Sequence, residues 1–228
     1  RYGAGEAEKI FAAFLEEGGG LPIRCMVSRF SEGEVQKALE QEGVTAARGR
    51  LLSYAFSIRN YPSLRELTAF QRGMFQVQDE SSMLVGQIAG IREGDTVIDV
   101  CAAPGGKTLH AADILRGSGV VVSADLTREK TDLIRENVKR LLVKNVEVYE
   151  QDAAVLREEW IRKADVLIAD LPCSGLGKKR KKCDIKYKTK PEDIKSLSAI
   201  QRQILTVSAE YVKEGGRMVY STCTIAQE

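Results

Sequence analysis

The sequence contains no C-x-x-C pair, no G-x-G-x-x-G fingerprint and no apolar run near the ~20 residues that a membrane span requires. Each absence removes a class. The five cysteines, Cys25, Cys101, Cys173, Cys183 and Cys223, are odd in number and scattered, which argues against a disulfide framework and against a zinc site. Reduced thiols and no metal are the expectation. Without the glycine fingerprint a nicotinamide enzyme loses its main support. No charged start followed by an apolar signal core opens the chain, so a cytoplasmic location without a membrane partner is expected. The chain begins at Arg1 and stops at "TIAQE", which suggests a piece of a longer protein.

What is present is ordinary in bulk and specific in detail. The 228 residues are 43% hydrophobic and 29% charged, values typical of a soluble globular protein with room for one large domain or a large and a small one. From residue 95 onward "DTVIDV", "GVVVSAD", "NVEVYEQD", "ADVLIAD" and "GRMVYST" read as strands. Between them "KTLHAADILR", "TREKTDLIRENVKRLLV", "AAVLREEWIRK" and "PEDIKSLSAIQRQILTVSAEYVKEGG" carry apolar residues at helical spacing, the last with a Gly-Gly stop. Strands alternating with crossover helices predict a parallel α/β sheet. Upstream, "AEKIFAAFLEE" reads as a helix, "LPIRCMVSRF" as a strand, "SEGEVQKALEQEG" as a helix with a Ser cap and "LLSYAFSI" as a strand, together a smaller α/β unit. The patterning breaks near "QRGMFQVQDESS", placing the division at 1–76 and 77–228, with the helix "SSMLVGQIAGI" leading into the larger part.

In an open parallel sheet, ligands bind beyond the carboxyl ends of the strands. Here those ends carry Asp99, Asp125, Asp152, Asp170 with Cys173, and Cys223. An aspartate after a strand can be a turn former, but five polar ends in register point to a site. The loop "DVCAAPGGKT" fits a phosphate-binding G-x-x-x-x-G-K-[ST] except that Cys101 stands where the first Gly belongs, and Pro104 removes an N–H that such a loop would aim at phosphate. A P-loop NTPase is therefore the rival reading. The better candidate is S-adenosylmethionine, whose ribose, adenine and amino-acid tail suit Asp125, Asp152 and a loop of small residues; Lys107 then meets an acid instead of a phosphate. Asp125 lies 26 residues beyond Asp99, close to the spacing at which a carboxylate receives ribose hydroxyls.

Methyl transfer to an aromatic carbon such as cytosine C5 needs covalent addition at C6 first, because C5 is otherwise a poor nucleophile. A thiolate can supply it. Cys173 and Cys223 are the two candidates. "DVCAAPGGKT", "DLPCSGLG", "DIKY" and "STCT", in this order, resemble the RNA cytosine-C5 methyltransferases of the Sun (Fmu) type, and "LPIRCMVSRF" and "FQVQDESS" are similar to the small domain and core entry of that family. The resemblance implies a class I S-adenosylmethionine methyltransferase core, Rossmann-like and mostly parallel, preceded by a small RNA-binding-type α/β domain, and a core incomplete at its C-terminus. It implies Cys223 as the nucleophile, Cys173 as the residue that assists release of the methylated base, and Asp170 beside both methyl donor and cytosine. It further implies contacts to S-adenosylmethionine from Cys101, Ala102, Ala103, Pro104, Gly105, Gly106, Lys107, Asp125, Asp152 and Asp170. The implied substrate is RNA, 16S ribosomal RNA in the family's nearest members. The family pattern has Pro where Cys183 stands; Cys183 receives no role.

"GKKRKKCDIKYKTK", residues 177–190, holds eight Lys or Arg against one Asp. Leaving from the catalytic edge, it suits RNA phosphates through Lys178, Lys179, Arg180, Lys181, Lys182 and Lys186, with Tyr187 placed to stack on a base. The lone His110 is expected on a helix surface, and Trp160 as packing at the end of an amphipathic helix. Two further rivals remain: a non-catalytic RNA-binding factor with the same fold, and a DNA cytosine methyltransferase, in which a Pro-Cys cysteine attacks.

Overall fold

The computed structural model describes residues 3–15, 19–178 and 190–226. After helix α1 (Gly3–Leu15), the strands β1 (Leu21–Cys25), β2 (Thr45–Arg48), β3 (Ala55–Arg59) and β4 (Phe75–Val77) form an antiparallel sheet in the order β2-β3-β1-β4. Helix α2 (Glu32–Gln41) packs Val35 and Leu39 against Ile23, Phe56, Ile58 and Phe75. It begins in the expected Ser cap: Ser31 Oγ accepts the Glu34 N–H at 3.2 Å while the Ser31 N–H donates to the Glu34 carboxylate at 2.7 Å, satisfying two end groups reciprocally. A short α3 (Thr68–Gln71) precedes β4. The division at 76 falls within β4, which pairs with β1.

The larger sheet is parallel throughout, in the order β7-β6-β5-β8-β9, from β5 (Thr96–Asp99), β6 (Val120–Asp125), β7 (Val146–Glu150), β8 (Ala164–Asp170) and β9 (Val212–Ser221). Helices α4 (Glu80–Ala89), α5 (Gly106–Leu115), α6 (Arg128–Leu141) and α7 (Pro191–Ala209) accompany it. The α/β Rossmann-like expectation holds. Ile98, Val122 and Leu167 pack on one side with Ile204 of α7, whereas Val97, Val121, Val166 and Ile168 pack with Ala111 and Leu115 of α5. Strands buried on both faces explain their unbroken apolar runs. No described helix is long and apolar enough to cross a membrane.

Four expectations need correction. Residues 153–163 contain only a 3₁₀ turn, Glu158–Trp160, where a crossover helix was expected. Asp152 Oδ1 takes the Ala154 N–H, the Arg157 N–H goes to Tyr211 Oη at 2.9 Å, and Trp160 inserts edge-on between Tyr149 and Tyr211. Buried aromatic packing outweighs a periodicity whose Val155 and Leu156 stay exposed. The Gly-Gly pair is no helix stop: α7 ends at Ala209, and Gly215 (φ +75°) and Gly216 form a bulge in β9, where a Cβ on Gly216 would meet the Ala164 carbonyl at 2.9 Å.

The strands expected over 21–30 and 51–58 are shorter, because carboxylates intercept their backbone. Asp113 of α5 accepts the Val27 and Ser28 N–H groups at 3.1 and 2.9 Å, and Glu80 of α4 those of Arg50, Leu51 and Leu52. His110, expected at a helix surface, is 2% exposed. Seven of the ten residues of α5 are buried, since the helix lies between the two sheets and has no free face. The imidazole packs edge-on to Tyr54 and directly over Gly86, where a Cβ would come within 2.5 Å of Nδ1; burial first, then Arg24, pushes its pKa well down, so it is neutral.

The sheets are joined by a dry ion pair. Arg24 Nη1 of β1 meets Asp113 Oδ2 of α5 at 2.9 Å, with both side chains essentially inaccessible. Arg140 of α6 adds a second joint, donating to the Phe70 and Phe75 carbonyls and to Gln76 while lying over the Phe70 ring. Removing one member of a buried pair strands the other charge, so Asp113→Ala should lower the unfolding free energy by about 3–5 kcal/mol in urea titration. A loss under about 1 kcal/mol, the range of an exposed pair, would refute that account.

Candidate active site

The site is built where the carboxyl ends of β5, β6, β8 and β9 meet. Asp99 ends β5 fully buried; its Oδ2 accepts from Thr108 Oγ1 at 2.8 Å, and its Oδ1 has no partner among the described residues. Burial raises its carboxyl to about 7, against the pull of the Thr108 hydroxyl. The loop then turns through Gly105 at φ +99°, a left-handed conformation that glycine adopts without strain, and α5 starts there without a side-chain cap. Asp125, ending β6, holds this loop in place: Oδ2 accepts the Ala103 N–H at 2.9 Å, and Oδ1 accepts from the Leu126 N–H and Lys130 Nζ. The Ala102 N–H donates to the Ala124 carbonyl and the Pro104 carbonyl receives Asn137. Burial pushes the Cys101 thiol up to about 12, which makes it a packing group.

Lys107, in the first turn of α5, reaches across to β8. Its Nζ lies 2.5 Å from Asp170 Oδ2 and 2.9 Å from Ser82 Oγ, while Asp170 Oδ1 accepts from Ser221 Oγ at 2.8 Å. Lys107 therefore meets an acid, as the S-adenosylmethionine reading requires. Pro104 contributes no N–H, so the phosphate reading is disfavoured twice. Asp152 is exposed and caps the Ala154 N–H at 2.9 Å, at the same edge of the sheet but outside this cluster.

Beyond Asp170 the two cysteines converge. Cys173 Sγ and Cys223 Sγ are 3.2 Å apart, and the Cys223 N–H donates to Cys173 Sγ at 3.3 Å. The loops bearing them are stitched by Ser174 to Thr224 at 2.7 Å and by the Gly177 N–H to the Cys223 carbonyl at 3.0 Å. A side chain at Gly177 would strike that carbonyl at 2.8 Å. Behind them, Gln201 of α7 donates to the Pro172 carbonyl and accepts from Tyr220, bracing both loops. The environment separates the thiols: the Cys173 hydrogen bond, and next the Lys178 charge, lower Cys223 to about 6, while Cys173, as donor to it and by burial, is pushed up. A proton shared between two sulfurs 3.2 Å apart favours ionisation of one member of the pair, with Cys223 the lowered partner.

The structure brings together Asp170, Cys173, Cys223 and Lys178, and the loop 101–107 with Asp125. Lys179, Arg180, Lys181, Lys182, Lys186, Tyr187 and Cys183 lie outside the described residues. Ser82, Ser221, Gln78 and Gln201 escaped sequence reasoning. The first three sit inside quoted motifs, but no spacing marks Gln201, because its partners Pro172 and Tyr220 are distant in sequence.

A family model described as 16S rRNA methyltransferase RsmB/F matches residues 87–228. The chain belongs to this family. A Bacillus subtilis protein named probable ribosomal RNA small subunit methyltransferase B is 36% identical over 98% of this chain and 50% of its own length. A Pyrococcus horikoshii protein named tRNA (cytosine(72)-C(5))-methyltransferase is 35% identical over 82% of this chain and 47% of its own. A solved structure described as a methyltransferase homolog protein from Pyrococcus horikoshii superposes with a TM-score of 0.83 at 28% identity, covering 97% of this chain and 70% of that one. The chain spans about half the length of the curated relatives it matches.

The donor set fits S-adenosylmethionine: backbone N–H groups at the uncapped start of α5 for a carboxylate, and Asp125 acceptors for hydroxyls. Iodoacetamide should label Cys223 with a rate that rises through a midpoint near pH 6, read by peptide mass spectrometry. Cys173→Ala removes the donor, so the midpoint should move upward; an unmoved midpoint would leave Lys178 as the dominant cause.

Proposed function

We propose that this protein transfers a methyl group from S-adenosylmethionine to C5 of a cytosine in RNA through a covalent cysteine adduct. The carrying observation is the convergence of the two thiols, Cys173 Sγ and Cys223 Sγ 3.2 Å apart beyond the end of the Asp170 strand, with Cys223 the lowered partner. Bound S-adenosylmethionine supplies an electrophilic methyl; residues 101–107, Asp125, Asp152 and Asp170 would hold it.

The chain's own residues account for the remaining demands. Cys223 Sγ, as thiolate, forms a bond to C6, which turns C5 into a nucleophilic enamine carbon. Asp170, oriented by Lys107 and Ser221, receives the cytosine edge next to it. Loss of the C5 proton to a base then re-forms the C5–C6 double bond and expels Cys223 as thiolate. The Cys173 S–H stabilises that leaving sulfur as it stabilises the resting one. Lys178 adds positive charge for the thiolate and for RNA phosphate.

We assign 16S ribosomal RNA as the substrate, residues 1–76 as an RNA-binding unit beside the catalytic core of 77–228, and the basic segment as its phosphate contact. The name of the Bacillus subtilis relative supports ribosomal RNA; that of the Pyrococcus horikoshii relative keeps transfer RNA as the second reading.

The test is trapping on RNA containing 5-fluorocytidine, whose C5 fluorine blocks elimination. With the full-length protein and S-adenosylmethionine, a covalent protein–RNA band on a denaturing gel should persist in Cys173→Ala and vanish in Cys223→Ala. Loss only in Cys173→Ala would reverse the thiol roles. No band with either ribosomal or transfer RNA would favour a non-catalytic RNA-binding factor.

A further inference from the structure

Gln78, between β4 and α4, is 5% exposed, yet half of its amide is unused. Arg24 Nε donates to Oε1 at 2.8 Å, which fixes the orientation of the amide and leaves Nε2 as the free end. That Nε2 has no hydrogen-bond partner among the described residues. A buried donor without a partner forfeits its hydration for nothing, so its persistence asks for a ligand or a reason.

Its position supplies one. The Gln78 amide faces Gly106, the first residue of α5: a Cβ there would have Gln78 Cδ, Cγ and Nε2 as its nearest neighbours at 3.7, 3.8 and 3.8 Å. Helix geometry leaves the first-turn N–H groups of α5 without intrahelical acceptors, and Gly105 offers no side-chain cap. The amide and the helix end thus form a cluster of donors lacking an acceptor, at the positive end of a helix dipole. The complement of such a cluster is an anion. The opposite end of the same loop is lined by the Asp125 carboxylate, the complement of hydroxyls.

We propose that Gln78 is a further cofactor-holding residue whose Nε2 donates to the carboxylate of the amino-acid tail of S-adenosylmethionine, alongside the first N–H groups of α5. This rests on the cofactor reading above. Arg24 is then a positioning residue: buried between Asp113 and Gln78, it links the small sheet to the cofactor loop and sets which end of the amide faces Gly106.

The proposal separates ligands with and without the tail. Isothermal titration of the full-length protein with S-adenosylhomocysteine and with 5′-methylthioadenosine, which lacks the amino-acid carboxylate, reads it without turnover. Gln78→Glu keeps the acceptor for Arg24 but replaces the donor by a like charge. It should weaken S-adenosylhomocysteine by about tenfold or more and leave 5′-methylthioadenosine within about twofold. Gln78→Met, which removes the donor without adding charge, should weaken only the former, by a smaller factor.

Equal losses for both nucleosides would assign Gln78 a merely structural role, and unchanged affinities would overturn the proposal. In the parent protein, the Gln78 side-chain amide resonance should shift with S-adenosylhomocysteine and not with 5′-methylthioadenosine, a readout that needs no variant; shifts with neither, despite binding, would also overturn it. A parent that binds neither nucleoside would overturn the cofactor reading itself.

Discussion

The buried Arg24–Asp113 pair is the joint on which the architecture hangs. Desolvating two charges is expensive, and their attraction repays it only with good geometry and with every other lone pair occupied. Both conditions are met: Asp113 also accepts two backbone N–H groups of the turn after β1, and Arg24 also donates to Gln78. The pair therefore fixes the chain direction after β1, the seating of α5 and the orientation of Gln78 together. Because α5 carries Asp113 near its last turn and Lys107 in its first, the structural joint and the active-site cation belong to one rigid helix of ten residues.

Around the same helix and the loop that leads into it stand three aspartates whose chemistry differs only through surroundings. Asp99 is dry and half-satisfied, and its raised pKa leaves it partly protonated near neutrality. Asp125 is held by two N–H groups and Lys130, so it serves as a fixed acceptor at the rim of the loop. Asp170 is half-exposed, with Lys107 on one oxygen and Ser221 on the other. Identical side chains at equivalent strand ends thus become a buried prop, an anchor of the loop and a half-exposed partner of a lysine.

Much of this was legible in the sequence, and the failures share a cause. All five core strands could be located because parallel strands buried on both faces write continuous apolar runs. The strand-end aspartates and both cysteines followed from the topology that those runs imply. The edge strands β2 and β4, four and three residues long, carry too little pattern to be seen. His110 was placed on a surface because periodicity assumes one buried face, and α5 has two. The helix expected at 153–163 fails where Trp160 finds aromatic partners from β7 and from the turn between α7 and β9, contacts that no local window contains. Gln78, Ser82, Ser221 and Gln201 were missed as site residues because each acts through a partner remote in sequence.

The thiol pair shows how position becomes function. Cys173 and Cys223 are equally ordinary as residues, each half-buried at the end of a strand. Their difference arises from the loops: Cys223 Sγ shares the hydrogen bond of Cys173 Sγ and lies near Lys178, which comes from the next turn of the Cys173 loop, while the Cys223 N–H on Cys173 Sγ works in the opposite sense. Gly175 at φ +69° and Gly177 against the Cys223 carbonyl allow that loop to lie this close. A side chain at Gly177 would push the Cys223 carbonyl away and with it separate the two sulfurs. The motif spacing is thus a packing requirement before it is a catalytic one: "PCSGLG" is the chain that can pass the second cysteine at hydrogen-bonding distance.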